Sequence, residues 1–542
     1  MEDVGEEYFK ILTSRSFFQQ SVHDKSKFTM HDCVHDLASL VLGDFGCRLE
    51  YNTRYVPLKT RYLSFPKEII GDKNTLYWFY NLRTFLPLES NKPFRDAVPL
   101  KELLTKKECL RVLSLSQYPH IAELPDSILD SKHLRYLDLS STSIRNVPDT
   151  ICTLYNLETL LLSNCENLTR LPSEIRRLIK LRHLDFAGSP IKELPARICE
   201  LTDLQTLTRF IVCKEHSRIE ELGDLQQLHG EFEICGLENV VDVKRVSVAK
   251  LREKKFLTSL GLSWDGESCD GTFKEREKIL DLLVPHENLK ALRIYGFAGE
   301  RFPDWMGDQS FGNIVEVQLS ECKNCKLLPP LGQLPSLQNL QISGFKRVET
   351  IGPEFYSDGS STTKPFRFLK VLRFEDMAKW EKWLFPKDQV FPSLKELVFY
   401  ECPELDVRLS DCFPSLTKLL VSHCRQLMPL RGFQSLEELE IFACPKQVIF
   451  LQDGWPSRLK KIKISRCESL KLLHCTQLKR EKEILHCKDF QHLTSLESLE
   501  IIECKELHRL PEELLTNPFE LSIVECPFLE SGGWENEEDW PN

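Results

Sequence analysis

The sequence predicts an α/β fold, a leucine-rich-repeat solenoid shaped as a horseshoe with a parallel concave sheet, and three observations predict it. Leucine recurs with apolar residues three and five places later, most recurrences lie 20 to 25 residues apart, and eight cysteines share one position in the register. At 542 residues the chain exceeds the size at which one compact core stops growing, so it needs several domains or an extended array.

With leucine as position zero, clear units are Leu110-Arg-Val-Leu113-Ser-Leu115, Leu134-Arg-Tyr-Leu137-Asp-Leu139 and Leu157-Glu-Thr-Leu160-Leu-Leu162. The pattern returns at Leu181, Leu204, Leu257, Leu289, Ile314, Leu337, Leu369, Leu394, Leu416, Leu436, Leu459 and Leu496, with a degenerate unit at Leu228-His-Gly-Glu-Phe-Glu-Ile234. Alternating apolar residues give a short strand with leucines facing inward and the residues between them facing solvent. Four early units continue into a convex element opened by Pro125, Pro148, Pro172 and Pro195, where proline suits the first helical position.

Position plus eight holds Cys165, Cys322, Cys402, Cys424, Cys444, Cys467, Cys504 and Cys526. A buried thiol is small and donates weakly to turn carbonyls, so these are read as a structural ladder. Cys322-Lys-Asn-Cys325 has CxxC spacing, but Cys322 already belongs to the ladder; His474-Cys475 and His486-Cys487 carry only weak zinc spacing. No metal is expected. The acidic N-terminus lacks an apolar signal region and no stretch offers about 18 uninterrupted apolar residues, so a cytoplasmic or nucleocytoplasmic address with reduced cysteines and no membrane span follows. A net charge of −10 argues against a nucleic-acid partner.

Ahead of the repeats, Phe28 to Gly43 reads as a helix with Thr29 as N-cap, Asp32 completing a variant capping box and Gly43 as terminator. Met30, Cys33, Val34, Leu37 and Val41 make its apolar stripe, while His31, Asp32, His35 and Asp36 take polar positions. Two histidines four apart invite a divalent-metal reading, but the glutamate of a helical HExxH site is missing and no third ligand is evident. A histidine near a helix N-terminus also suits contact with a phosphate.

Met30-His31-Asp32 resembles the MHD motif of plant coiled-coil-type nucleotide-binding leucine-rich-repeat disease-resistance proteins. Gly5-Glu-Glu-Tyr-Phe and Ser14-Arg-Ser-Phe-Phe-Gln19 resemble the end of that family's winged-helix module. Gly236-Leu-Glu-Asn-Val240, Leu328-Pro-Pro-Leu-Gly-Gln-Leu-Pro335 and Met377-Ala-Lys-Trp-Glu-Lys-Trp383 extend the resemblance through the repeats. The resemblance implies a winged-helix end at 1–45, a linker with irregular first repeats at 46–109, the solenoid at 110–530 and an acidic tail at 531–542. It implies that His31 helps to hold ADP, with Asp32 supporting the geometry. The sequence contains no GxxxxGK[ST] phosphate loop, so no cofactor is expected in this chain, ADP or ATP only in a full-length receptor, and no enzymatic activity. A receptor fragment or a natural short form fits that pattern.

The expected partners are proteins: a pathogen effector, a guarded host protein or the receptor's own nucleotide-binding domain. The concave face supplies the surface, read at plus one and plus four as Lys290, Arg293, Lys370, Arg373, Lys395, Glu437, Glu440, Lys460, Lys463, Glu497 and Glu500. Alternating sign along these positions suits a protein better than a polyanion. Trp380 and Trp383 are assigned to packing, and Asp358 to Thr363 to an inserted loop at the rim. The alternative reading is a stand-alone leucine-rich-repeat adaptor or ubiquitin-ligase substrate-recognition protein, which would need an F-box where the winged-helix end stands.

Overall fold

The computed structural model describes residues 2–21, 27–48, 57–66, 80–88, 107–215, 217–264, 273–357, 364–386, 390–406, 413–425, 433–444, 456–467, 495–505, 507 and 519–527. The inserted loop at 358–363, the His-Cys pairs at 474–487 and the acidic tail lie outside the described residues. Two compact units divide at Leu207/Thr208.

The first unit begins with the helix Glu2–Ser14, an antiparallel pair of strands (Phe18–Gln20 and Phe28–Met30) and the helix Asp32–Leu42. Phe9 packs edge-on to Phe28 and tilted against Phe18, tying the first helix to the strand pair. Eight parallel strands follow, from Gly46–Arg48 to Thr206–Leu207, each beside its sequence neighbour. Three of them fall in the stretch read as linker and irregular repeats.

The second unit holds a sheet of thirteen parallel strands, running from Arg209–Ile211 to Glu520–Val524. The degenerate unit supplies the full strand Gly230–Cys235, with a register shift at Gly230/Glu231. From Ala291–Tyr295 onward the register is unbroken: Leu292 pairs with Val317, then Leu340, Leu372, Leu397, Leu419, Leu439, Ile462 and Leu499. These nine side chains are no more than 2% exposed, so the apolar column expected from the alternation is the core.

Most of the strands are set up by the same turn. The position-zero amide donates to the carbonyl three residues earlier, as in Leu134 to Ser131 (2.9 Å), Leu181 to Leu178 (2.8 Å) and Leu289 to His286 (3.1 Å). Residues at minus one add a bond between repeats: Asn156, Asn288, Asn313, Ser393, Ser415 and Ser435 each donate from the side chain to a carbonyl of the preceding repeat, at 2.8 to 3.1 Å. Backbone groups at the turn are thereby satisfied without a second sheet.

The convex elements opened by proline are 3-10 turns, and here the sequence expectation is corrected. Pro125 and Pro148 sit at the N-cap, in extended conformation, ahead of Asp126–Asp130 and Asp149–Thr153. Their carbonyls, and that of Pro172, accept the first bonds of the turn from Ile128, Ile151 and Ile175. A missing N–H costs nothing at that boundary. In the later repeats the convex side is filled by rings instead: Phe366 stacks on Phe391 (5.1 Å), Phe391 on Phe413 (5.4 Å) and Phe413 on Phe433 (6.3 Å). Trp380 and Trp383 pack into the same cluster, 0% and 5% exposed.

Candidate functional site

Three sets of residues are candidates: the cysteine ladder, the helix that carries His31, and the open face of the second unit's sheet.

All eight ladder thiols are at most 2% exposed. All eight reach the carbonyl two residues earlier, at 3.3 to 3.7 Å. Cys165 also reaches back to Leu139 of the preceding repeat, at 3.1 Å, and Cys402, Cys444, Cys504 and Cys526 make similar longer contacts at 3.8 to 3.9 Å. The sequence reading missed two members. Thr142 and Ser189 occupy plus eight in their repeats and donate to Leu139 and Leu162, so a hydroxyl replaces the thiol there, while Phe297, Phe345 and Met377 fill the same position with buried apolar side chains. The Cys424 thiol donates to Cys402, and that bond followed by burial raises it, while burial pushes Cys444 up to about 12. Cys504 donates to Cys467 and lowers it. Cys325 gives its proton to the Gly299 carbonyl at 3.1 Å, so the CxxC pair is also absorbed in turn bonding. Among the described residues no group of three or more His, Cys, Asp or Glu is placed to hold a metal, and the described cysteines are all free thiols.

In the N-terminal helix the cap is His31, not Thr29. Thr29 lies in the strand Phe28–Met30 and turns its hydroxyl to the Gln19 carbonyl, whereas His31 Nδ1 accepts from the Cys33 amide at 3.2 Å. The strand pairing claims Thr29 first, and imidazole replaces it as acceptor. A ring that accepts at Nδ1 carries its proton at Nε2, so His31 presents a donor outward; Asp32 is the first helical residue, where an anion suits the dipole. Gly43 closes the helix with φ of 51°. The apolar stripe is not covered: Leu37 and Val41 are 54% and 78% exposed beside Leu40 at 79%. His35 and Asp36 are also exposed, 3.7 Å apart.

On the open face, period two places plus two and plus four outward, and plus one lies just before the strand. Lys290, Lys370, Lys395, Glu437, Lys460 and Glu497 therefore stand at the entry edge; Lys370 reaches the Gln338 side chain at 2.9 Å, and Lys460 pairs with Glu437 at 2.9 Å, raising its own pKa and lowering that of Glu437. The plus-four row runs Arg293, Gln318, Gln341, Arg373, Val398, Leu420, Glu440, Lys463, Glu500. The parallel plus-two row includes Glu316, Glu396, Lys418 and Glu438, which the plus-one choice passed over although strict alternation points to them. Charges on the two rows pair across strands: Arg293 with Glu316 (3.5 Å), Arg373 with Glu396 (2.6 Å), Lys418 with Glu440 (3.1 Å) and Glu438 (3.4 Å), and Lys463 with Glu500 (2.8 Å). The Glu500 carboxylate raises the Lys463 ammonium by its hydrogen bond. Exposed cross-strand pairs of this kind contribute roughly 0.2–1 kcal/mol each, so the face is held in a defined charge pattern at small cost to any partner that exchanges one pair for another.

Two family models match. A disease-resistance-protein winged-helix domain covers residues 1–38, and the R13L1/DRL21 leucine-rich repeats cover 219–345. The putative disease resistance RPP13-like protein 1 of Arabidopsis thaliana is 39% identical over 98% of this chain and 52% of its own length. The chain is a homologue of plant disease-resistance proteins. A second putative disease-resistance protein of Arabidopsis thaliana is 41% identical over 80% of the chain and 31% of its own length. The homologue thus spans about half the length of the first of these relatives and less of the second. Its winged-helix match contains His31 and Asp32, and its repeat match contains Lys290 and Arg293. Among solved structures, a plant peptide hormone receptor, RGFR1, in complex with RGF2 aligns with a TM-score of 0.43 at 15% identity, over 87% of this chain and 82% of that one. Among the described residues no helix is long and apolar enough to cross a membrane.

Proposed function

We propose that this chain serves plant innate immunity as the repeat-bearing part of a cytoplasmic disease-resistance receptor, and that it works by binding proteins rather than by turning over a substrate. The observation that carries this reading is the unbroken register from Ala291–Tyr295 to Glu520–Val524, which sets two outward rows of charged and polar side chains side by side at the strand spacing. Similarity to disease-resistance proteins over 98% of the chain supplies the biological setting. The partners are a pathogen effector, a guarded host protein and the receptor's own nucleotide-binding domain, the last giving autoinhibition. In the longer receptor His31 contributes its Nε2 proton to bound ADP, and Asp32 keeps the helix start in place.

Co-expression tests the binding reading directly. The N-terminal half of the 39%-identical Arabidopsis thaliana relative is supplied as a separate chain and co-purified with this one. Reversing Lys418 and Lys463 to glutamate sets like charges against Glu438, Glu440 and Glu500, and recovery is expected to fall roughly tenfold with unchanged circular dichroism. Failure of the unsubstituted chains to co-purify, or equal recovery with the reversed pair, overturns the reading.

A further inference from the structure

The paired charges of the open face give way at its centre. Between Arg373 and Glu440 the plus-four row holds Val398 and Leu420, and at the C-terminal ends of the same strands stand Tyr400, Ser422 and Phe442. His423 lies between two of these rings, 5.7 Å from Tyr400 and 5.4 Å from Phe442. Its Nδ1 is 2.8 Å from the Ser422 hydroxyl, which fixes the ring plane. A groove of about 350 Å³ runs along this edge, lined by Asp376, Glu401, Pro403, His423, Arg425 and Ala443.

The carboxylates at one end are differently placed. Lys346 pairs with Asp376. Glu375 accepts only an amide hydrogen from Gln341 at 3.2 Å, and Glu401 is hydrogen-bonded by the Tyr400 hydroxyl, which raises that phenol. Among the described residues neither Glu375 nor Glu401 has a cationic partner within ion-pair distance, whereas Glu316, Glu396, Glu438, Glu440 and Glu500 on the neighbouring strands are paired. At the opposite end Arg466 sits 5.6 Å over the Phe442 ring and is held by both oxygens of Glu503, so that ring already has its cation. Among the described residues no cation lies over the exposed Tyr400 ring.

We propose that this groove takes an extended peptide segment of a protein partner in which an arginine or lysine neighbours an aromatic or branched apolar side chain. The cation meets Glu375 and Glu401 and lies over Tyr400, where ring and carboxylates attract it together. The apolar neighbour covers the half-buried Leu420 and the edge of His423. Arg425 faces a peptide carbonyl or carboxylate at the far end and thereby sets the direction of the chain. Aromatic residues beside a desolvated charge are the composition of an interface hot spot, and the surrounding ion pairs form its polar rim. This inference rests on the reading that the open face binds proteins.

Selection of a phage-displayed random dodecapeptide library on the full chain provides the probe. Enriched peptides are expected to share a basic residue next to an aromatic or branched apolar one. For the strongest synthetic peptide, Glu375→Gln with Glu401→Gln, and separately Tyr400→Ala, should each weaken binding roughly tenfold, as loss of a charge-assisted contact does. Arg176→Ala with Glu200→Ala, an ion pair of the first unit and not of this face, should leave it within about twofold. Urea unfolding of every variant controls for folding, and the isosteric glutamine pair, at the half-buried Glu375 and the exposed Glu401, keeps the test alive if the alanine variant unfolds. Peptides that respond to Lys463→Ala with Glu500→Ala but not to the groove variants refute the groove and leave the face reading standing. Enriched acidic peptides refute the proposed chemistry. No enrichment, or indifference to all variants, refutes groove and face together.

Discussion

Replacing Ala443 with glycine is expected to stabilise the chain, contrary to the usual effect of that substitution. Ala443 has φ of 49° and stands at plus seven, the residue before the ladder cysteine. The same position is left-handed in repeat after repeat, in Asn164, Glu321, Asp376, Glu401, His423, Arg466, Glu503 and Glu525, and is filled by glycine at 188, 296 and 344. The turn imposes this conformation because the chain must leave the sheet while the thiol swings back to the carbonyl two residues earlier. A side chain in the left-handed region costs about 1–2 kcal/mol. Glycine regains that and loses about 0.4–1 kcal/mol to the greater freedom of the unfolded chain, leaving a gain of about 0.5–1 kcal/mol. Alanine offers no polar side-chain bond that would be lost. The reverse change at Gly296 has no such relief: a Cβ there would lie 2.2 Å from the Trp264 carbonyl oxygen, so Gly296→Ala should cost well over about 1 kcal/mol. Because repeat arrays open locally, the assay is hydrogen exchange at the amides of Glu438–Phe442 and Ala291–Tyr295, with urea unfolding alongside. Slower exchange for Ala443→Gly and faster exchange for Gly296→Ala are expected. Destabilisation by the first, or tolerance of the second, would show that the left-handed turn is not what the column demands.

Two further expectations concern buried titratable groups. Lys254 is fully buried, its ammonium donates to the Leu222 and Leu225 carbonyls at 2.7 Å each, and burial lowers its pKa to about 8. Since the folded pKa is the lower one, the unfolded chain holds more protons between about pH 8 and 10.5, and stability attributable to this residue rises with pH across that window. The difference between wild type and Lys254→Met should therefore grow by at most on the order of 3 kcal/mol from pH 8 to 10.5; a flat or falling difference in urea unfolding would count against it. In native-state alkylation at pH 8 read by mass spectrometry, the exposed Cys33 and Cys109 should label while Cys424 and Cys444 stay protected until denaturant is added. Labelling of those two in the folded chain would place them outside a packed ladder.

Much of the repeat architecture was legible because leucine at zero, three and five encodes the strand, its face and its spacing together. The degenerate unit at Leu228 was legible for the same reason, since Phe232 and Ile234 keep the alternation. The minus-one donors and Ser189 of the ladder were not, because Asn and Ser are unremarkable in a turn until a carbonyl of the neighbouring repeat is seen 2.6 to 3.1 Å away. The choice of plus one over plus two on the open face failed through geometry: position zero belongs to the incoming turn, so alternation starts only inside the strand. Thr29 lost the cap to His31 because a two-stranded pairing outside the helix fixed it first.

By itself the sequence determined the repeat, the inward column and the class of relatives, because each is written in residues close together along the chain. Only the tertiary structure decided which charges cancel, which carboxylates remain without a cation, and where one sheet stops and the next begins at Leu207/Thr208. Those outcomes depend on side chains about 20 to 40 residues apart that parallel stacking brings to neighbouring strands, and the distance between two charged atoms is not a property of either strand alone.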